Sequence, residues 1–170
     1  MELGEAVTAR RDALAILVLR TALGTLFWAH GMQLVFGAFG GGGFPGAVAV
    51  AEGAGFQPAA LWGPVLAFAA FLGGLAVLLG FYTRVAAALM MFIMAVAVVQ
   101  VQGPMGYFNS RGGFEFPLTV FFAALSLLLT GSGAYSLDTW LRLRLEGRLE
   151  QKLAAKAAPP EPEPAENDAE

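Results

Sequence analysis

Four apolar segments organise the first 130 residues, and the polar positions between them set how they connect. A helix crossing about 30 Å of hydrocarbon needs roughly 20 mainly apolar residues. Residues 13–30, 61–81, 84–101 and 116–130 fit that pattern, the last being the shortest. The pattern predicts an all-α, integral membrane four-helix transmembrane bundle over 1–136. Gly80-Phe81-Tyr82-Thr83-Arg84 is so short a link that the second and third spans must be antiparallel neighbours. The first connection is long and opens with Gly40-Gly41-Gly42-Gly43. Within it, Pro45 to Gly53 reads as a short interfacial or re-entrant helix, with Pro45 suited to the first turn. The third connection, 102–114, holds Gly103-Pro104, Asn109 and Gly112-Gly113 and reads as a turn-rich loop.

After Gly131-Ser132-Gly133 the periodicity changes. Leu137, Leu141, Leu145, Leu149 and Leu153 recur every fourth residue, among Arg142, Arg144, Arg148, Lys152 and Lys156. This predicts an amphipathic surface helix over 137–157, whose five basic residues suit an anionic lipid surface. Asp138 falls in its first turn, where a carboxylate complements the helix dipole. Residues 158–170, rich in Pro and Glu, read as a disordered acidic tail.

Basic residues orient the bundle. Arg10, Arg11, Arg84 and the five of the C-terminal helix fall on one side, Arg111 on the other, and Arg20 inside. The positive-inside rule places both termini and the Arg84 turn in the cytoplasm, in a cytoplasmic membrane. Arg20 interrupts the first apolar run and no small-x-small site follows it, so this segment reads as a span rather than a cleaved leader.

Composition agrees and narrows the chemistry. Of the residues, 57% are hydrophobic and 14% charged, against roughly 45–50% and 25% in soluble domains. With no cysteine, the chain has no disulfide, thiolate metal site or iron–sulfur cluster of its own. A single histidine, His30, excludes multi-histidine zinc and bis-histidine haem sites. The net charge of −3 offers no attraction for nucleic acid. No phosphate loop, nucleophile elbow, zincin motif or dinucleotide fingerprint occurs.

The candidate ligand-binding residues are Arg20, His30, Gln102, Tyr107, Arg111 and Glu115, with no metal. A charge within the membrane costs about 2.5–3.5 kcal/mol, so Arg20 either snorkels to the headgroups or has a partner in the bundle. Gly24 and Gly31 lie on its helix face and turn it toward close packing, which favours a buried Arg20 with a carbonyl or carboxylate partner. With the insertion cost gone, Arg20→Leu would then fold and insert at least as well as the parent. His30 ends the first span, where it is either a helix-capping group or a partner for a quinone carbonyl or a proton. Gln102, Tyr107, Arg111 and Glu115 share its membrane level and define an outward-facing pocket that Glu52 could join. Interface polarity and dipole compensation at Glu115 are the alternative account of the same residues.

Several short motifs follow one another along the chain: Arg20 with Gly24, His30-Gly31-Met32-Gln33, Phe36-Gly37, Gly73-Gly74-Leu75, Leu79-Gly80-Phe81 and Thr83-Arg84. Gly106-Tyr107-Phe108, Glu115-Phe116-Pro117-Leu118, Gly131-Ser132-Gly133 and Tyr135-Ser136-Leu137-Asp138 complete the pattern. Their order resembles the DoxX family of small four-helix membrane proteins. The family often carries lysine where Leu34 stands, glutamate near Ala70 and histidine around Gln102. Arg20, His30 and Glu115 match the family. The resemblance implies an accessory subunit, non-catalytic on its own, of a quinone- or sulfur-linked redox or oxidative-stress system, with quinone as a ligand and a membrane or cytoplasmic redox protein as partner. A protein handling small solutes or lipids, or a structural membrane organiser without ligand, fits the same residues.

Overall fold

The computed structural model describes residues 3–157, so the acidic tail lies outside the described residues. Every regular element among them is helical. Helix α1 spans Leu3–Phe36, α2 Gly43–Gly53, α3 Ala59–Leu79, α4 Thr83–Val96, α5 Glu115–Thr130 and α6 Leu137–Ala157.

Helix α1 departs furthest from the expected 13–30. Its 34 residues make a rod of about 51 Å, longer than the hydrocarbon is thick. Charges at Arg10, Arg11 and Asp12 end an apolar run but not a helix, because Glu, Ala and Arg are good helix formers. At the other end Gly31 does not stop α1. A Cβ there would collide with the backbone of Phe71 on α3, so this glycine admits a neighbouring helix. The helix stops at Gly37, which takes the left-handed φ of 69°.

Helices α1 and α3 cross in close contact along Gly24, Gly31 and Gly74. A Cβ on Gly24 would stand 2.8 Å from the Leu78 nitrogen. Small residues bring backbones together in this way where lipid provides no hydrophobic drive. The buried core runs through Leu23, Phe27, Val77, Met90, Val120, Ala124 and Leu127, joining α1, α3, α4 and α5. Helix α2 seats Ala47 and Ala51, both fully buried, and its backbone at Ala47–Val48 lies against Gly63 of α3.

The third span is two pieces rather than one regular helix over 84–101. After Val96 the chain widens into a π turn, Ala97–Val101, closed by the Gln102 amide bonding the Ala97 carbonyl at 2.9 Å. By length and apolarity α1, α3 and the helical stretch Thr83–Val101 can each cross a membrane. Helix α5 has 16 residues and reaches about 24 Å. Helix α6 has the predicted bounds, and Leu145, Leu149 and Leu153 on its stripe are exposed.

Candidate functional site

The candidate residues fall at opposite ends of the bundle. Arg20 is buried at one of them, where α3 ends. Its Nε donates to the Val77 carbonyl at 3.0 Å and its Nη2 to that of Leu78 at 2.8 Å. Nη1 donates to the carbonyls of Ser132 and Tyr135 at 2.9 and 2.7 Å. Last-turn carbonyls lack helical partners and form the negative end of the helix dipole, so a guanidinium there is stabilised twice over. Gly80 makes the approach possible. It takes the left-handed φ of 69° that ends α3, and a Cβ on it would strike the guanidinium.

Asp138 completes this end, and its role is not the one expected from its place in α6. Its carboxylate accepts from the amides of Tyr82 at 3.0 Å and Thr83 at 3.4 Å, capping α4 rather than its own helix. Its amide donates to the Gly80 carbonyl at 3.0 Å. Helix α6 is capped by Ser136, whose Oγ accepts from the Thr139 amide at 3.1 Å. Arg20 and Asp138 thus fasten α1, the α3–α4 turn, the 131–136 loop and the root of α6 together.

His30 is exposed on α1 at the other end. Its Nδ1 lies 2.9 Å from the Leu26 carbonyl, an acceptor, so Nδ1 carries the proton. In the neutral ring Nε2 then remains as an acceptor. His30 lines an apolar cavity of about 150 Å³ whose walls include Phe27, Leu34, Ala70, Met94 and Phe116. Leu34 and Ala70 are both in that wall.

Glu115 and Tyr107 are engaged within the third connection. The Glu115 carboxylate accepts from the Asn109 amide at 3.1 Å, and its own amide donates to the Tyr107 carbonyl at 2.9 Å. The Tyr107 ring packs edge-on to Phe108 and Phe114. Arg111 is exposed on the same loop, and the Gln102 Oε1 is buried without a hydrogen-bond partner. Among the cavities described, none is lined by Gln102, Tyr107, Arg111 or Glu115. Glu52 is exposed in the last turn of α2.

Sequence reasoning missed Thr83, Ser132 and Ser136, and gave Asp138 only a dipole role. The signal was present in the ordered motifs around Gly80 and Tyr135-Ser136-Leu137-Asp138, but their meeting is tertiary.

This geometry defines a small helical membrane protein with a carbonyl-clamped arginine at one end and an apolar cavity at the other. A family model described as DoxX matches residues 15–103, just over half of the chain, and the chain belongs to the DoxX family. Comparison with curated proteins and with solved structures gives no match.

Proposed function

We propose that this protein is a non-catalytic subunit of a membrane redox system, one that receives a quinol-type ring in the His30 cavity and presents α6 to the membrane surface near a redox partner. The observation carrying this reading is the cavity itself, with apolar walls and one imidazole. An apolar cavity of about 150 Å³ is enough for a benzene-sized ring. The Nε2 lone pair selects a ring that bears a hydroxyl donor. The unpaired acceptor on Gln102 and the π turn before it support a functional assignment of this end.

The test is quenching of tryptophan fluorescence by a short-chain quinol on protein held in lipid nanodiscs. Saturable quenching is expected, with about five-fold weaker binding in His30→Phe, the worth of one neutral hydrogen bond. Filling the cavity by Ala70→Leu should abolish it. Non-saturable quenching in the parent overturns the reading.

The same reading places both termini, the Arg84 turn and α6 in the cytoplasm, since nearly all basic residues fall there. Reporter fusions after Thr83 and Leu153 should then read as cytoplasmic and fusions after Gly43 and Asn109 as external. A cytoplasmic signal at Asn109 contradicts this orientation.

A further inference from the structure

At the Arg20 end, a cavity of about 620 Å³ opens between the α3–α4 turn, the end of α5 and the first turn of α6. Thr83 lines it and is 1% exposed, yet its Oγ1 has no hydrogen-bond partner among the described residues. A buried hydroxyl is seldom left without a protein group, water or ion to bond. Two exposed arginines, Arg84 of α4 and Arg142 of α6, line the same space from different helices.

The charges there do not cancel. Among the described residues Asp138 is the single acidic one in the lining, and its two oxygens already accept from the Tyr82 and Thr83 amides. Behind Gly80 the Arg20 guanidinium adds a further positive charge, bonded to neutral carbonyls. The next amides of α4 belong to Arg84 and Val85, which also line the cavity at the positive end of this 14-residue helix. Excess positive charge, guanidinium forks and a hydroxyl in need of an acceptor describe a receptor for an oxyanion.

We propose that this cavity binds a phosphate group between Arg84 and Arg142, with the Thr83 hydroxyl donating to one of its oxygens. The phosphate belongs either to an anionic phospholipid headgroup or to a free anion, and the volume leaves room for a headgroup substituent. This assignment is independent of the quinol reading, since it concerns the opposite end of the bundle.

The full chain is to be melted in an uncharged detergent with inorganic phosphate, against sodium chloride at matched ionic strength. In parallel it is melted in nanodiscs of phosphatidylcholine with and without phosphatidylglycerol. A saturable rise in Tm with inorganic phosphate assigns the site to a free anion. A rise with phosphatidylglycerol alone that Thr83→Val weakens assigns it to a headgroup, because surface attachment of α6 does not depend on Thr83. In either arm Arg142→Gln should weaken the effect at least about ten-fold, as should Arg84→Gln. Thr83→Val should raise the Tm of the unliganded protein, because a costly buried hydroxyl is gone, and should weaken binding about five-fold. Arg142 is exposed, so its variant decides the matter if Arg84→Gln fails to fold. The proposal is overturned if neither phosphate source raises Tm, if Arg142→Gln binds as the parent does, or if Thr83→Val leaves the affinity unchanged.

Discussion

Arg20→Leu should destabilise the folded bundle by about 3–5 kcal/mol, because it strands carbonyls on two separate segments. Insertion cost alone gives the opposite sign, since leucine enters a membrane more readily than arginine. The structure decides between the two. Val77, Leu78, Ser132 and Tyr135 all direct carbonyls at this one guanidinium, and leucine offers none of them a donor. The Val77 carbonyl keeps a second partner in the Gly80 amide at 3.1 Å, so the loss falls mainly on the other three. The charge that leucine would remove sits about seven residues, or ~10 Å, into the apolar run, where snorkelling already lowers its cost in the unfolded chain. Arg20→Lys should lose about 1–3 kcal/mol, because a point ammonium cannot span carbonyls that a planar fork reaches from two sides. Unfolding in mild detergent measures both. An Arg20→Leu variant as stable as the parent would show that the clamp contributes nothing.

Gly74→Ala should destabilise the protein by about 2–3 kcal/mol, although alanine is the better helix former by about 1 kcal/mol. The added Cβ would lie 2.7 Å from the Trp28 Cα, nearer still to the Trp28 nitrogen, and 2.9 Å from the Gly24 oxygen. These are backbone atoms of a packed helix, and no rotamer change moves them. Helices α1 and α3 would have to separate, which also opens the contacts at Gly24 and Gly31. The adjacent Gly73 provides the control. A Cβ there meets only the Leu89 Cδ2, at 4.0 Å, so Gly73→Ala should be neutral or stabilising by up to about 1 kcal/mol. Tm values of the two single variants, side by side, check the pair. Equal behaviour would show that the α1–α3 crossing is looser than its geometry.

Much of the fold was legible along the chain because lipid imposes a simple rule on it. A backbone in hydrocarbon must satisfy itself, so long apolar runs become helices. The register of α6 followed from leucines every fourth residue, which only a helix brings to one side. The α3 and α5 bounds moved by two residues or fewer. Those of α1 moved much further, because local hydropathy reports where lipid ends and not where a helix ends. Gly31 shows the ambiguity most plainly. Its place after His30 marks the end of the apolar span and its spacing from Gly24 marks a packing face, and the Phe71 backbone across the interface shows that it packs while the helix runs on to Phe36.

The candidate site divides along the same line. Sequence alone determined that Arg20 needs an explanation, since an ionised group in an apolar run is costly, and that His30 is the single imidazole. It determined the helical class, the apolar spans and the basic amphipathic character of α6, all of which depend on neighbours within a few residues. Tertiary structure decided what Arg20 bonds, because its carbonyl partners lie 57 to 115 positions away. It decided that Asp138 caps α4 across a separation of 56 residues. It also decided that Leu34 and Ala70 share a cavity wall with His30, and that Thr83, its hydroxyl unpaired among the described residues, lines one cavity with Arg84 and Arg142. Hydropathy is a sum over adjacent residues and survives in one dimension. Hydrogen-bond partnership and cavity shape depend on chain segments meeting in space, and they exist only once the helices have packed.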